Sequence, residues 1–360
     1  DSIDGRQLRP FRSRKKGCFR CPVRCKADLE GPETGNTGAT VVRPEFESMV
    51  NLGSRCGLAE LWSLVDMDNI CTRLGMDTIS TGGVLAFAMD LYARGIIGPE
   101  DTGGQELGWG DAPLMRTLIR DIAAKRGLGA VLALGTREAA RHFGSQAHTW
   151  AAQVKGLDIS AYVPDQAKGT ALGYAVSSRG GDFNTLYANM EYRWSRQRGA
   201  QEFGQPESVN RFSPHGKAPL IRRSLLVNCV LDSLGLCKVP LLSLIGDFDL
   251  GHEAELTRAV TRTPLRARHL FTLGERIAVL ERMFNLKCGV IPEDDDLPPM
   301  FWTDKASEEA DQESGRSWVA PMRQAFYACM GWDDRGCPTQ ETLDRLGLEQ
   351  TETAQPIDPQ

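Results

Sequence analysis

The spacing of apolar residues along the chain predicts a fold built mainly of α-helices. Between residues 57 and 74, Leu61, Leu64, Ile70 and Leu74 belong to a pattern that repeats at three- and four-residue intervals. The same period runs through residues 84–93, after an interruption at residues 81–83. Further helices are predicted over residues 113–126, 137–142, 167–175, 220–231 and 273–285. The sequence contains no internal repeat and little sign of strands.

Two helical domains and a short tail are expected from the order of these patterns. Residues 150–164 look extended and mark a boundary, so we assign one domain to residues 1–152 and another to residues 153–348. Residues 197–215 are polar and rich in Gly, Pro and Ser, which predicts a loop or an insertion. The tail, residues 349–360, is predicted to be disordered.

Composition narrows the class of protein. The chain has 360 residues and a formal net charge of -5, which is long enough for two cores and too acidic to suggest nucleic-acid binding. It lacks an apolar run of the roughly 18–20 residues that a membrane span requires. Ten cysteines without an apolar leader predict reduced thiols or metal ligands in a cytoplasmic protein.

Three of the cysteines lie close together near the start of the chain. Cys18, Cys21 and Cys25 follow the spacing C-x2-C-x3-C, which puts three thiols on one tight turn. Thiolates are soft ligands that suit iron–sulfur clusters, zinc or copper. A zinc knuckle usually brings a second close pair of Cys or His, and no histidine lies near. The motif therefore favours an iron–sulfur cluster, with zinc or unliganded thiols as the alternatives.

A cubane cluster held by three cysteines needs a fourth ligand from elsewhere in the chain. Cys237 differs from the other candidates because it ends the segment Asp232-Ser-Leu-Gly235-Leu236-Cys237. A glycine at that place lets the backbone approach a bulky group closely. The remaining cysteines stand mostly in apolar or helical settings, where inert core thiols are common: Cys56, Cys71, Cys229, Cys288, Cys329 and Cys337.

These motifs resemble those of the aldehyde:ferredoxin oxidoreductase family. In that family C-x2-C-x3-C and a distant D-x-x-G-L-C supply four cluster ligands, and an earlier D-x-x-G-L-D element is related to the second. Here the earlier element is similar to the segment from Thr72 to Asp77, in which Thr72 replaces the first Asp and Gly75 remains. Similar segments are collinear from about residue 17 to residue 299. They include residues 43–48, 153–157 and 274–286.

The resemblance implies a fold that corresponds to the middle and C-terminal domains of the family, without its N-terminal β-rich domain. It also implies a [4Fe-4S] cluster on Cys18, Cys21, Cys25 and Cys237 beside a tungsten or molybdenum bis-pterin. No side chain ligates the metal in the family, so either metal agrees with the sequence. The pterin-binding residues implied are Gly75, Asp77, Arg179, Asp232, Gly235 and Leu236. Asp77 and Asp232 are also explained as helix caps or turn carboxylates.

Proton-handling groups are indicated by the same resemblance. The family keeps an active-site Glu in the segment that holds Glu45 and Glu47 here, and we choose Glu45. Phe183 stands where many aldehyde-oxidising relatives carry a His. Asp182 or His215, or a tyrosine, is therefore expected to take its place.

The function implied is the oxidation of aldehydes to carboxylic acids, with electrons passing through the cluster to ferredoxin or an electron-transfer subunit. An alternative is a low-potential reductase of aromatic acyl-coenzyme A thioesters, of the benzoyl-coenzyme A reductase kind, which the missing His favours. A cluster-bearing electron-transfer subunit or a zinc-stabilised scaffold lies outside that chemistry. We expect a small-molecule substrate, an anaerobic cytoplasmic setting, no nucleic acid, no membrane and, by analogy, a homodimer.

Overall fold

The computed structural model describes residues 2–30, 41–302 and 318–348, and its contacts divide the chain into two units. Unit 1 is Asp1–Ala161 and unit 2 is Tyr162–Gln360. The boundary predicted from sequence stood between residues 152 and 153. It stays a prediction that the first domain holds the cysteine loop and one pterin-binding element, and the second domain the other element with Cys237. The tail predicted to be disordered lies outside the described residues.

Unit 1 begins with a small antiparallel sheet and continues as a helical bundle. The strands are β1 (Arg12–Lys16), β2 (Lys26–Leu29) and β3 (Val41–Val42), in that order across the sheet. A hairpin of β4 (Gln153–Val154) and β5 (Leu157–Asp158) closes the unit. The helices are α1 (Phe46–Ser48), α2 (Leu61–Leu74), α3 (Thr78–Ala93), α4 (Pro99–Thr102), α5 (Ala112–Ala124), α6 (Leu128–Leu132), α7 (Thr136–Phe143) and α8 (Ser145–His148).

Helix α3 forms the centre of unit 1. It is apolar around its whole circumference and packs against α2, α5, α6 and α7. The sequence predicted an interruption at residues 81–83, and that prediction is wrong. A Cβ atom at Gly82 would lie 2.3 Å from the backbone oxygen of Asn51, and one at Gly83 would lie 2.7 Å from Oδ1 of Asp158. The glycine pair therefore permits close packing within a continuous helix.

Unit 2 is organised around α12 (Lys217–Ser233), which packs against α9, α14 and α15. A Cβ atom at Gly274 would lie 2.4 Å from the backbone oxygen of Leu226, so α14 approaches α12 closely there. A π-helical segment, Val239–Ile245, follows α12. The other helices are α9 (Lys168–Val176), α10 (Met190–Arg193), α11 (Arg196–Phe203), α13 (Gly251–Thr261), α14 (Ala267–Lys287), α15 (Ala320–Met330) and α16 (Gln340–Leu346).

Helix α11 corrects the prediction of a loop over residues 197–215. The Ser195 hydroxyl accepts a hydrogen bond from the backbone N–H of Arg198 and so caps the helix. Gly199 lets the helix approach Val209, whose Cγ2 would lie 2.9 Å from an added Cβ. A short 3-10 helix, Pro206–Val209, follows. The polar composition concealed the helix because it buries little apolar surface of its own.

The mainly α-helical class is confirmed, and the strands are the part that sequence patterning missed. β1 is Arg-Ser-Arg-Lys-Lys, which has no apolar alternation to reveal it. It is a strand because it pairs with β2, with Lys16 opposite Lys26. None of the helices in the described ranges has the length and apolar character to cross a membrane.

Asp158 gives the stability of unit 1 an expected pH dependence. Its side chain is 3% exposed, and burial raises its pKa to about 6, although Thr136 donates a hydrogen bond to it. Because the folded form holds this proton more tightly than the unfolded form, the contribution of Asp158 to stability is fully present below about pH 4 and is lost as the pH rises through about 6. We expect Asp158→Asn to raise the free energy of unfolding at pH 8 by about 1–3 kcal/mol.

Urea unfolding at pH 4.5 and pH 8 measures the free energy of unfolding at each pH. The loss of free energy between pH 4.5 and pH 8 should be smaller in the variant than in the parent protein. Asp121→Asn is a matched control, because Asp121 pairs with Arg126 at the surface. An Asp158→Asn protein that is less stable at pH 8 would show that ionised Asp158 supports the fold.

Candidate functional site

The three clustered cysteines lie on the turn that joins β1 to β2. Cys18 and Cys25 are exposed, and Cys21 is partly exposed. The backbone N–H of Cys21 bonds to the oxygen of Cys18 at 3.0 Å, which closes the turn. Arg20 and Arg24 precede the second and third cysteines and have left-handed backbones, with φ of 56° and 48°. The loop thus curls tightly and leaves its thiols open to a ligand.

Contacts from the flanking strands fix this loop. Gly17 lies so close to Arg24 that an added Cβ would be 2.9 Å from the Cα of Arg24. The Arg24 guanidinium donates to the oxygen of Lys15 at 2.8 Å, and Arg43 donates to the oxygen of Cys25 at 2.7 Å. No three His, Cys, Asp or Glu side chains converge on a metal position within the described residues. The donor set nevertheless fits an iron–sulfur cluster, because the loop offers three accessible soft ligands.

The first glycine turn ends α2 and leads into α3. Gly75 has a left-handed backbone with φ of 69°, and its N–H bonds to the oxygen of Thr72 at 3.3 Å. The N–H of Met76 reaches back to the oxygen of Cys71 at 2.9 Å. Asp77 follows, and its carboxylate caps α3 by accepting from a backbone N–H at 2.6 Å. This is a glycine-terminated helix end that immediately starts a new helix.

The second glycine turn has the same geometry at the end of α12. Gly235 has φ of 66°, and its N–H bonds to the oxygen of Asp232 at 3.1 Å. The N–H of Leu236 reaches the oxygen of Leu231 at 2.9 Å. Cys237, which is exposed, occupies the place that the capping aspartate holds in the first turn. The two segments share Leu-Gly and this backbone shape, which is a common way to end a helix and recurs here at Gly95, Gly289, Gly331 and Gly347.

Asp232 in the second turn is held from outside that turn. Its Oδ2 lies 2.9 Å from Nζ of Lys238, which also donates to the backbone oxygen of Asn184 at 2.5 Å. The Asp232 carboxylate remains half exposed. It is thus positioned while one side of it stays open to a ligand.

A cavity of about 610 Å³ in unit 1 brings the cysteine loop and the first glycine turn together. Cys18 lines it from the loop, and Met76 and Asp77 line it from the turn. Its basic residues are Lys16, Lys26 and Arg43, and its acidic residues are Asp28, Glu45, Asp68 and Asp77. The Nε of Arg43 is buried and has no hydrogen-bond partner among the described residues. The unpaired Arg43 donor and the carboxylate acceptors suit a polar cofactor that has both hydrogen-bond acceptors and N–H groups.

Glu45 and Glu47 differ in what holds them. Glu45 is half exposed on the cavity wall and pairs with Lys26 at 2.7 Å. Glu47 Oε2 accepts from the backbone N–H of Ala161 at 2.8 Å and from Nδ2 of Asn51 at 3.1 Å. Glu47 therefore ties parts of unit 1 together, whereas Glu45 faces the cavity.

The Asp182 carboxylate in unit 2 is buried and fully engaged. It is 8% exposed, and Arg179 pairs with it at 3.0 Å. The backbone N–H of Asn184 and the hydroxyl of Thr185 also donate to it, at 2.9 and 3.1 Å. These three donors hold the segment as a turn. The catalytic role of Asp182 and the pterin contact of Arg179 stay predictions.

Phe183 lies in an aromatic pocket of unit 2 with an internal volume of about 30 Å³. Its ring centroid is 4.9 Å from that of Tyr162 and 5.6 Å from that of Tyr187. Tyr192 completes the aromatic wall, and Asp182 also lines the pocket. His215 is exposed in the turn before α12, where its backbone N–H donates to the Ser213 hydroxyl.

The other cysteines divide into three buried ones, two exposed ones and the partly exposed Cys337. Cys56, Cys71 and Cys229 are buried, and burial raises the pKa of each thiol to about 12, 11 and 12, respectively, as predicted for inert core thiols. Cys288 and Cys329 are exposed, so their assignment to the core is wrong. Cys288 ends its helix at the surface, which the apolar residues around it did not reveal.

A helical scaffold with a three-cysteine loop and two equal glycine turns is what the sequence led us to expect of a metal–pterin oxidoreductase. The model of the family described as aldehyde ferredoxin oxidoreductase, domains 2 and 3, matches residues 1–348. The chain belongs to the aldehyde ferredoxin oxidoreductase family, and the predicted membership is confirmed.

Curated relatives agree with that assignment. The tungsten-containing aldehyde ferredoxin oxidoreductase of Pyrococcus furiosus is 31% identical over 342 residues, which is 93% of this chain and 53% of the relative. The aliphatic sulfonate oxidoreductase, WOR-like subunit, of the same organism is 27% identical over 359 residues, 92% of this chain and 50% of the relative. The chain thus spans about half the length of the relatives it matches.

A solved structure shares the fold. The active-site complex of a benzoyl-coenzyme A reductase, in complex with 1,5-dienoyl-CoA, matches with a TM-score of 0.73 and 20% identity. The match covers 94% of this chain and 53% of that chain. At this identity the likeness concerns architecture alone.

Proposed function

We propose that this protein oxidises aldehydes to carboxylic acids at a tungsten or molybdenum bis-pterin. In this reaction an aldehyde and water give an acid, two protons and two electrons. The electrons leave through a [4Fe-4S] cluster on Cys18, Cys21, Cys25 and Cys237 to ferredoxin or an electron-transfer subunit. The observation that carries the proposal is the cavity that Cys18 of the cysteine loop lines together with Met76 and Asp77 of the first glycine turn.

The residues of this chain would hold and orient the cofactor. When bound, the metal–pterin supplies the two-electron chemistry. Asp77 and Asp232 would accept hydrogen bonds from pterin N–H groups, while Gly75 and Gly235, which have no atom within 4 Å of an added Cβ, leave room beside the turns. Leu236 follows Gly235 in the same turn, and Arg179 would contribute a positive charge.

Proton transfer is assigned to Glu45. Its side chain is half exposed on the cavity wall, so it would be able to carry a proton between the cavity and solvent. Asp182 and His215 are the candidates in unit 2 for a second group. Asp182 lines a pocket and His215 is exposed, so we rank Asp182 first.

One observation favours a second candidate function, the reduction of aromatic acyl-coenzyme A thioesters. Five aromatic residues line one pocket: Tyr162, Tyr174, Phe183, Tyr187 and Tyr192. Rings of this kind can stack on a planar aromatic group, although the pocket, at about 30 Å³, would have to open to admit one. The shared architecture with a benzoyl-coenzyme A reductase is consistent with it.

Elemental analysis and assays after anaerobic purification test both candidates. We expect about four irons and about one tungsten or molybdenum per chain, with a viologen dye reduced on addition of an aldehyde. Activity with benzoyl-coenzyme A and a strong reductant, without aldehyde oxidation, would select the second candidate. Iron without tungsten or molybdenum would indicate an electron-transfer subunit, and zinc alone would indicate a scaffold. A cytoplasmic homodimer remains our expectation.

A further inference from the structure

Asp68 is a buried carboxyl group in the wall of the unit 1 cavity. It lies on α2, is 9% exposed and lines the same cavity as Cys18 and Asp77. None of the ion pairs among the described residues includes Asp68, and the hydroxyl of Ser48 lies near its carboxyl group. Ser48 in turn lies 2.9 Å from the hydroxyl of Thr78.

The other acids of the cavity already have local partners. Asp28 pairs with Lys16 at 2.6 Å, and Glu45 pairs with Lys26 at 2.7 Å. Asp77 caps α3. Among the four acids of this wall, Asp68 is thus the one that neither forms an ion pair nor caps a helix within the described residues.

Such a group costs the fold stability. Burial raises the pKa of Asp68, and the nearby charge of Glu45 raises it further, while Ser48 and Lys26 lower it. Burying a carboxylate without an ion pair is unfavourable. A neutral or apolar residue at this position would therefore make the cofactor-free protein more stable. Groups kept at such a cost in a cavity wall commonly serve a ligand.

The two glycine turns differ in their first residue. The second turn begins with the carboxylate Asp232, whereas the first begins with Thr72. Asp68 stands four residues before Thr72, one helical turn away on the same face of α2. Both line the cavity. Asp68 therefore supplies a carboxyl group beside the first glycine turn, one helical turn earlier than the position that Asp232 holds in the second.

We propose that Asp68 accepts a hydrogen bond from the N–H edge of the pterin at the first glycine turn, in the role that Asp232 has at the second. This inference rests on the function proposed above. It makes Asp68 a binding residue for the cofactor, one that the D-x-x-G-L-D pattern does not include.

Three variants of the full-length protein, purified anaerobically, test the proposal. Asp68→Ala should lower bound pterin, measured by fluorescence after oxidative release, and tungsten or molybdenum per chain, by about tenfold, the loss expected for a charge-assisted hydrogen bond. Adding Thr72→Asp in the Asp68→Ala background should restore both. Asp66→Asn is the control, because Asp66 lies on the same helix and pairs with Arg116 at the surface. Iron per chain should stay constant throughout.

A further measurement separates ligand binding from a structural role. In cofactor-free protein at pH 8, Asp68→Asn should leave the Tm unchanged or raise it, since it removes a buried charge. A lower Tm would make Asp68 a structural residue and overturn the proposal. Full pterin content in Asp68→Ala would also overturn it, while a parent protein without pterin would refute the proposed function itself.

Discussion

Replacing Cys237 with alanine is expected to reduce iron from about four atoms per chain to nearly none and to abolish aldehyde oxidation. The reason is that three thiolates on one exposed loop leave a cubane cluster one ligand short. The exposed thiol at the second glycine turn is the ligand we assign to complete it. Iron and sulfide analysis, with electron paramagnetic resonance of the reduced protein, measures the result.

Cys288→Ala is the matched control. Cys288 is also an exposed cysteine of unit 2 and also follows a long helix, but it belongs to neither glycine turn. It should keep its iron and its activity. Cys21→Ala should behave like Cys237→Ala. Four irons per chain in Cys237→Ala would remove Cys237 from the ligand set and, with it, the main support for the proposed function.

Gly82→Ala is expected to destabilise unit 1 by about 3 kcal/mol or more and to lower its Tm by about 10 °C. The added Cβ would lie 2.3 Å from the backbone oxygen of Asn51 and 2.4 Å from its carbonyl carbon. Neither is a flexible side-chain atom that could turn aside, so α3 and the π-helical segment Met49–Gly53 must separate. Differential scanning calorimetry measures the change.

Gly108→Ala provides the comparison, because an alanine there meets no atom within 4 Å. Its effect should stay within about 1 kcal/mol, and reduced freedom of the unfolded chain can make it slightly stabilising. A Gly82→Ala protein as stable as Gly108→Ala would mean that α3 does not pack against Asn51 as described. The movement of Asn51 should also disturb Glu47, to which it is bonded.

The helices were predictable where one face is apolar and a cap marks the end. Residues 113–126 were predicted as a helix, and α5 is Ala112–Ala124, capped by Asp111, which accepts from the N–H of Leu114. In helix α3 the period was visible from residue 84 onward, but the first turn of the helix was missed at Gly82 and Gly83. Its glycines looked like a break because propensity carries no information about the backbone of Asn51.

The site was predictable to the extent that its chemistry is local. The cysteine spacing and the two Leu-Gly pairs are visible in the sequence, and the structure gives both pairs one shape. Asp68 was missed because its significance depends on burial and on the cavity that it shares with Thr72. A signal was nevertheless present, since the two residues are four apart on a predicted helix.

The two glycine turns have one backbone shape but different side chains at the sixth position. A left-handed glycine and two backbone hydrogen bonds define each turn, so its sixth residue can vary without disturbing the geometry. Asp77 is a hard oxygen donor and starts a helix, whereas Cys237 is a soft sulfur donor. Under the proposed function, this single difference of side chain would give the second turn, and not the first, a thiolate for iron.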